Sequence, residues 1–435
     1  MTLHSDEPGR GFLLVTWDGG GNTPPMGAIA AALLARGHGV RVVGPECRRS
    51  SYEPLGARFE AYVHAPEHDA GNPETDIVRD WEARTPMGAF ARMRDNLMFG
   101  PAAAFAREVE AAVERERPAG AMIDYMLTGA AAGARRAGVP AVGLVHTVYP
   151  LPVAGVPPFG LGLAPPRGPA GRIRDRLLAR VALRPFAVGL DTLNSVRRAS
   201  GLPEVEHLEG LLDDFASVVV VVPPEFDLAA QAPLPPAASF VGHLEPPAPE
   251  VAWESPWPAD DPRPLVVVGL STTFMDQRAL ATRILQALGE MPVRALVTTG
   301  PALDLGGVPI PDNVALAAFV PHAAVMPQAS VVVTHAGLGT IAAALRAGVP
   351  LVCLPSGRDQ PDNAVRVAEA GAGIRLPERA SANRIRAAIQ RALTEPELQA
   401  GARRMQAAFA RDGAPAVVAI LETMTGGAPS APSNA

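Results

Sequence analysis

Short runs of β-branched residues alternate along this chain with stretches rich in Ala, Leu and Arg that have the character of helices. This alternation is typical of βαβ units and predicts parallel strands with helices packed on the sheet. The first half contains five strand candidates: FLLVTW, GVRVVG, GAMID, PAVGLVH and SVVVVVP. The second half contains five more: PLVVVGL, RALVTTG, VALAAF, SVVVTH and PLVCLP. The pattern therefore predicts an α/β fold with two parallel sheets.

The length of the chain, 435 residues, exceeds what one ordinary core accommodates. A stretch dense in Pro and acidic residues separates the two sets of strands and has neither helical nor strand periodicity, which is typical of an interdomain linker. The predicted division is an N-terminal domain over 1–242, a linker over 243–264, a C-terminal domain over 265–412, and a final segment over 413–435.

An internal similarity indicates that the two domains resemble each other. Residues 123–140 align without a gap on residues 333–350, and both segments end in RAGVP. In this alignment Asp124 falls one position before the counterpart of His335. Both residues therefore follow the carboxyl end of a parallel strand, where open α/β sheets bind ligands. Two such sheets facing each other would form a cleft between the domains.

Composition excludes several functional classes. The net charge of −6 and the absence of a Lys/Arg-rich block argue against nucleic-acid binding. Two cysteines imply no disulfide framework, and the longest aliphatic run, Val218–Val222, is too short for a membrane span. With no signal-peptide pattern at the N-terminus, we expect a cytoplasmic protein.

The sharpest motif is SVVVTHAGLGT, where a strand gives way to a helix. His335 follows the strand, Gly337 and Gly339 free the backbone, and Thr340 opens the helix. A helix start presents unpaired N–H groups and the positive end of the helix dipole, which suits a diphosphate. The competing interpretation is an ordinary tight turn whose histidine is satisfied by the backbone.

Two further clusters follow predicted strands. Ser271, Thr272 and Thr273 supply hydroxyl groups and amides just past PLVVVGL. Asp359 and Gln360 follow PLVCLP, and an acceptor beside an amide suits the vicinal hydroxyls of a sugar. A solvated surface loop is the alternative for this second cluster.

One motif points elsewhere. Gly337-x-Gly339-x-x-Ala342 fits a dinucleotide fingerprint, and Asp359 lies near the spacing of a ribose-binding acid. The motif follows the fourth strand of its domain instead of the first, which weakens this interpretation. A nicotinamide-dependent oxidoreductase nevertheless stays open as an alternative.

Residues 319–373 together resemble the donor-binding signature of the GT-B family 1 glycosyltransferases, especially the bacterial natural-product enzymes. The N-terminal half resembles the family mainly through PPMGAIAAALLARGHGVRVVG and the strand that ends at Asp124. The resemblance implies two Rossmann-like domains whose parallel sheets face an interdomain cleft. It also implies an acceptor site in the first domain, a nucleotide-sugar site in the second, and a last helix that crosses back.

The resemblance assigns roles on the donor side. It makes the diphosphate-binding positions His335, Gly339 and Thr340, faced by Ser271, Thr272 and Thr273 as the opposing phosphate loop. The nucleobase would pack against Phe319 and Val320, and the transferred sugar would contact Asp359 and Gln360. Ala343 stands where the family often has a ribose-binding Glu, which a 2′-deoxyribose donor such as a dTDP-sugar would miss least.

The base position departs from the family pattern. The family usually has Gly-His-x-x-Pro after its first strand, and its His deprotonates the acceptor, whereas here Asn22 occupies that position. An amide cannot take up a proton at neutral pH. Asp124 matches the second member of the family's dyad, and Asp18 is another candidate because a carboxylate among glycines should be accessible and ionised. His146, at another strand end, is a further candidate base.

The predicted activity is an inverting glycosyl transfer without a bound metal or a cofactor, using a UDP- or dTDP-sugar as co-substrate. The apolar, Pro-rich insertions at 73–118 and 149–171 favour a hydrophobic small-molecule acceptor, such as a polyketide or an aromatic aglycone. A homodimer is one expected assembly. The missing His also leaves open a non-catalytic auxiliary protein with the same fold.

Overall fold

The structure, a computed structural model, describes residues 9–235, 237–247 and 253–426. Residues 248–252 of the predicted linker lie outside the described residues, as do the two ends of the chain, 1–8 and 427–435. The limits of the domains stay a prediction.

Two parallel sheets organise the chain, and the predicted α/β class is confirmed. The seven-stranded sheet consists of β1 (Gly11–Val15), β2 (Gly39–Gly44), β3 (Arg58–Ala61), β4 (Gly120–Asp124), β5 (Ala141–Val145), β6 (Ser217–Val220) and β7 (Ala238–Phe240). The six-stranded sheet consists of β8 (Leu265–Gly269), β9 (Arg294–Thr298), β10 (Val314–Ala317), β11 (Val331–Thr334), β12 (Leu351–Cys353) and β13 (Gly373–Arg375).

Both sheets have the doubly wound strand order. The first runs β3-β2-β1-β4-β5-β6-β7 and the second runs β10-β9-β8-β11-β12-β13. In each sheet the order reverses between the first strand and the fourth, β1 beside β4 and β8 beside β11. The loops that leave these strands diverge to opposite faces of the sheet, so a crevice opens between them and ligands bind there.

Helices cover both faces of the two sheets. They are α1 (Thr23–Ala35), α2 (Arg49–Tyr52), α3 (Pro86–Met93), α4 (Ala102–Arg115), α5 (Thr128–Arg136), α6 (Gly168–Ala182), α7 (Arg184–Ala199), α8 (Arg278–Gly289), α9 (His322–Val325), α10 (Leu338–Arg346), α11 (Gln360–Glu369), α12 (Ala382–Thr394), α13 (Pro396–Phe409) and α14 (Ala414–Gly426). None of the helices within the described ranges is long and apolar enough to cross a membrane.

Alternate side chains of the central strands enter different apolar clusters. Leu13 and Val15 of β1 pack on the α4 and α5 side, whereas Phe12 and Leu14 pack with residues of α1 and α14. In the second sheet Val266 and Val268 lie in one cluster, and Leu265 and Val267 lie in another. The two-residue period of a strand thus fixes both faces of each sheet and the direction of the loops at its end.

All ten predicted strands are present, and three further strands, β3, β7 and β13, were not predicted. These three lie at or near the sheet edges, and their sequences, RFEA, ASF and GIR, are short and partly exposed. They carry little hydrophobic signal because only part of each strand is buried. Residues 73–118 are helical only in part, in α3, α4 and two short turns between 80 and 98.

Candidate active site

The candidate site lies where the two crevices meet. The loop after β1 contains Asn22, and β4 ends at Asp124. In the second sheet Ser271 follows β8 and His335 follows β11. The fold therefore brings the predicted residues of both halves to equivalent places, at the carboxyl ends of the strands where each sheet reverses its order.

Asn22 and Asp124 are in direct contact and fully buried. The Asn22 amide nitrogen donates to Asp124 Oδ2 at 3.1 Å and to the Trp17 carbonyl at 2.9 Å. The Asn22 amide oxygen accepts from the Gly19 N–H at 3.0 Å. Asp124 Oδ1 accepts from the Met126 N–H, also at 3.0 Å. Asn22 therefore acts as a fixed connector between the glycine-rich loop and the carboxylate.

His146 approaches the same carboxylate from the next strand. It directly follows β5, and its Nδ1 lies 3.0 Å from Asp124 Oδ2. The distance is that of an ion pair, although the ring N–H is not aligned with the oxygen as in a hydrogen bond. Burial would lower the pKa of His146, but the carboxylates of Asp124 and Asp359 outweigh it, so the pKa is raised. The two carboxylates therefore stabilise a positive charge on this imidazole when it takes up a proton.

Asp18 has a different environment from the one expected. Its side chain is fully buried, with Oδ1 2.7 Å from the Arg48 guanidinium and Oδ2 accepting from the Ala70 N–H at 2.8 Å. The expectation that this carboxylate is accessible is therefore wrong, because Arg48 and the segment around Ala70 cover it. Arg48 and the backbone N–H groups occupy the oxygens, which suits a structural anchor.

The glycine-rich loop also faces the second half of the chain. Gly20 has φ +72°, and a Cβ built there would lie 2.8 Å from Thr273 Cγ2 and 3.3 Å from Thr272 Oγ1. Only glycine tolerates both the left-handed backbone and this close approach. In the structure this loop lies directly against the Ser271–Thr273 loop.

The turn after β11 has the form of an anion site. Gly337 is the N-terminal cap of α10, and no side chain caps this helix. A Cβ on Gly337 would lie 2.5 Å from His335 Nε2, so this glycine makes room for the imidazole at the helix start. Thr340 is buried within the first turn, and Gly339 is exposed with open space above its Cα. The helix start thus offers free N–H groups, a hydroxyl and an imidazole.

The tautomer of His335 follows from its neighbour. Nδ1 lies 3.4 Å from the Gly269 carbonyl oxygen, and since a carbonyl only accepts, Nδ1 carries the proton. Burial lowers the pKa of His335 to about 4. The neutral imidazole therefore presents a bare Nε2 towards Gly337, and it could donate to a phosphate oxygen only after taking up a proton.

The opposing loop, Ser271–Thr273, contacts a cation that the sequence did not single out, Arg358 of the loop after β12. Ser271 Oγ and Thr273 Oγ1 lie 2.9 Å apart, and Thr273 Oγ1 also accepts from Arg358 at 2.9 Å. The Arg358 guanidinium forms a two-pronged ion pair with Asp80, at 2.7 and 2.8 Å. In the sequence, Arg358 stood out only as the neighbour of Asp359. Its partner Asp80 lies 278 residues away along the chain, so no local pattern indicated the ion pair.

The predicted sugar contacts lie next to this loop. Asp359 Oδ2 accepts from the Asn363 amide at 2.7 Å, and burial raises the pKa of Asp359 despite that bond and the charge of His146. Gln360 is buried, and its amide oxygen accepts from the N–H groups of Ser356 and Gly357. Asp359 therefore has an oxygen available for a ligand, whereas Gln360 mainly shapes its loop.

The predicted nucleobase segment divides into two parts. Phe319 is 79% exposed, and Val320 is buried in the apolar cluster of the second sheet. An exposed aromatic ring anchored by a buried neighbour is suited to stacking with a planar ligand. Ala343, at the position of the family's ribose-binding Glu, is half-buried.

Several contacts join the two halves around the site. Val148, two residues after His146, packs in an apolar cluster of the second sheet together with Phe226. The Phe274 N–H donates to the Ala70 carbonyl at 2.8 Å, and the Phe274 ring meets Trp81 edge to face at 5.0 Å. The loops that carry the candidate residues are therefore themselves the contact between the sheets.

Comparison with known proteins agrees with this arrangement. Residues 282–424 match the family described as erythromycin biosynthesis protein CIII-like, C-terminal domain. The 4'-demethylrebeccamycin synthase of Lentzea aerocolonigenes is 31% identical over 427 residues, which cover 95% of this chain and 99% of that protein.

Solved structures show the same fold. The glycosyltransferase of kitacinnamycin superposes with a TM-score of 0.74 at 22% identity, covering 96% of this chain and 99% of that one. The glycosyltransferase VinC in complex with dTDP superposes with a TM-score of 0.69 at 20% identity, again covering 96% and 99%.

Proposed function

Because this chain belongs to the GT-B family 1 glycosyltransferases, among the bacterial natural-product enzymes, we propose that it transfers a sugar from a nucleoside diphosphate to a hydrophobic small molecule. The observation that carries the proposal is the turn from His335 to Thr340, which opens α10 at the point where the second sheet reverses its strand order. Family membership excludes the nicotinamide-dependent oxidoreductase.

The donor is bound by the second half of the chain. The free N–H groups of α10, the Thr340 hydroxyl and the Ser271–Thr273 loop surround the diphosphate, and Arg358 supplies a positive charge beside it. These groups meet the charge of the leaving diphosphate without a metal ion in the proposed mechanism. Phe319 stacks on the base, and Asp359 accepts from sugar hydroxyls.

A dTDP-sugar is the proposed donor in preference to a UDP-sugar. Ala343 offers no carboxylate for a ribose 2′-hydroxyl, which a deoxyribose lacks. The solved relative VinC, similar in fold, was crystallised with dTDP.

The transfer inverts the anomeric centre. The diphosphate is held on the side of the second sheet, while the acceptor enters beside the Asn22–Asp124 pair on the side of the first. The acceptor therefore attacks C1 from the face opposite the leaving group, in a single displacement. Asn22 cannot serve as the base, because its amide nitrogen donates to Asp124 and carries no basic lone pair.

Binding and turnover test this proposal. We expect dTDP to raise the melting temperature of the protein more than UDP does, and NAD⁺ to leave it unchanged. The purified chain should hydrolyse or transfer the sugar of dTDP-glucose. An α-linked donor should give a β-linked product, identified by the NMR coupling constant of the anomeric proton of the product. Binding without any turnover would instead support the non-catalytic auxiliary protein.

A matched pair of variants localises the donor. Thr340→Val should weaken dTDP binding about 10- to 150-fold, since a charge-assisted hydrogen bond contributes about 1.5–3 kcal/mol. Thr423→Val, at an exposed position of α14 whose hydroxyl bonds only to its own helix, should leave binding unchanged. Equal affinities for the two variants would contradict the assigned diphosphate site.

A further inference from the structure

We propose that His146 is the general base of the transfer, that Asp124 orients its imidazole, and that Asn22 is a positioning residue for Asp124. This inference rests on the proposed function and concerns the acceptor side of the site, which the first sheet provides.

Geometry excludes Asn22 and Asp18 as the base. Asn22 has both ends of its amide engaged, with Asp124, Trp17 and Gly19 as partners. Asp18 is enclosed, and its oxygens are held by Arg48 and the Ala70 N–H. A general base needs an accessible lone pair within reach of the acceptor. Neither residue offers one.

His146 has the required arrangement. The side chain retains 10% exposure in an otherwise closed region, and its Nδ1 lies 3.0 Å from Asp124 Oδ2. A proton on Nδ1 facing a carboxylate leaves Nε2 with a free lone pair, which is how a carboxylate selects the useful tautomer of a catalytic histidine. The contact is not yet linear, and catalytic hydrogen bonds often tighten only when substrate is bound.

The position of His146 relative to the donor site supports the same role. The imidazole and the Asp359 carboxylate, which is assigned to the sugar, are close enough to influence each other's charge. Val148 on the same loop packs against the second sheet, so the loop is fixed relative to the donor half. The Trp17 and Tyr125 rings lie 6.3 Å and 5.6 Å from the imidazole ring and wall this part of the cleft.

The proposed step is balanced within the site. The acceptor oxygen forms a bond to C1 of the sugar while the C1–O bond to the diphosphate breaks, and that electron pair leaves with the diphosphate. The proton of the acceptor O–H passes to His146 Nε2. The imidazolium that results is stabilised by Asp124, whose oxygen is held in place by Asn22.

Hydrolysis of dTDP-glucose tests the proposal, because water serves as the acceptor and no natural acceptor is needed. His146→Gln should lower kcat by about 10²–10⁴-fold, the usual contribution of a general base, while the Kd for dTDP stays within about twofold. His68→Gln is the matched control, since the His68 ring also lies against Trp17 but pairs with Asp76 instead of Asp124.

The pH profile separates a base from a merely structural histidine. In the unmodified protein kcat should fall at low pH as His146 becomes protonated, and in His146→Gln this acidic limb should disappear. Asn22→Ala should move the limb to higher pH, because loss of the amide N–H strengthens the charge that Asp124 exerts on the imidazole. Imidazole added to the His146→Ala variant should restore part of the rate.

Two results overturn the proposal. One is a His146→Gln variant whose kcat and pH profile match those of the His68→Gln control. The other is an acidic limb that persists unchanged when His146 is removed. Failure of the unmodified chain to bind dTDP or turn over any nucleotide sugar is a different outcome, and it would refute the proposed function itself.

Discussion

At the scale of single residues, a side chain's chemistry in this site depends on which of its polar atoms are already occupied. Asp18 and Asp124 are both buried carboxylates; Asp18 lies in the loop after β1, and Asp124 ends the neighbouring strand β4. Arg48 neutralises Asp18, whereas the side chains that contact Asp124 are the Asn22 amide and the His146 imidazole. The first is therefore an anchor, and the second can stabilise a charge that forms during the reaction.

His335 provides a prediction at this scale. Its free-state pKa is about 4, and a phosphate oxygen beside Nε2 would raise it, so dTDP binding should be accompanied by proton uptake. Linkage then requires the affinity to rise as the pH falls through the raised pKa of the complex, and to level off below about 4.

Calorimetry in buffers of different ionisation enthalpy measures this uptake. The terminal phosphate of dTDP can also gain a proton, so the relevant quantity is the difference between the unmodified protein and His335→Gln. We expect the unmodified protein to take up more protons than the variant near pH 6. The same uptake in both proteins would show that His335 stays neutral in the complex.

At the scale of elements, the two aligned helix starts use their glycines for different purposes. A Cβ on Gly129, in α5, would lie 2.0 Å from the Ala102 carbonyl oxygen of α4. The counterpart Gly339, in α10, has nothing within 4 Å of such a Cβ. The two aligned glycines therefore have different physical reasons: Gly129 lets α5 pack closely on α4, whereas Gly339 leaves the start of α10 open.

This difference predicts opposite results for two identical substitutions. Gly129→Ala should lower the melting temperature substantially, because the Cβ collides with backbone of a packed helix. Gly339→Ala should leave the melting temperature unchanged or raise it slightly, since Ala favours a helix by about 1 kcal/mol over Gly. Only Gly339→Ala should weaken dTDP binding at equal stability.

Thermal unfolding and dTDP titration of both variants check the prediction. Unchanged dTDP affinity in Gly339→Ala would mean that the diphosphate does not approach the start of α10. The result would leave the folding role of Gly129 unaffected.

At the scale of the whole molecule, one ion pair joins an insertion of the first half to the donor loop of the second. Asp80 lies in a short turn near the start of the insertion and pairs with Arg358 next to Thr273. Burial raises the pKa of Asp80, but the Arg358 hydrogen bonds and charge outweigh it, so the pKa is lowered. The pair is therefore ionised at neutral pH and joins the insertion to the Ser271–Thr273 loop.

Removing one partner of this ion pair should lower the stability of the protein. Asp80→Asn leaves a largely buried guanidinium without its counter-charge and should lower the stability by about 3 kcal/mol, measured as the urea midpoint of the first unfolding transition. The control is Glu82→Gln, whose exposed pair with Arg92 should contribute less than about 1 kcal/mol.

The double variant Asp80→Asn/Arg358→Gln completes the cycle. It should be less destabilised than the sum of the two single variants, because no unpaired charge remains. Strict additivity would mean that the two side chains do not interact in solution.

The sequence by itself determined the two parallel sheets, the strand ends next to Asp124 and His335, and the glycine-containing turn that opens α10. These features are local, because hydrophobic periodicity, glycine placement and helix-start chemistry act within some twenty residues. Only the tertiary structure decided that Asn22 is a connector, that Asp18 is closed off by Arg48, that the candidate His146 pairs with Asp124, and that Arg358 contacts Thr273. Those outcomes depend on which distant side chains meet at the cleft, and a pattern within one segment carries no information about a partner 278 residues away.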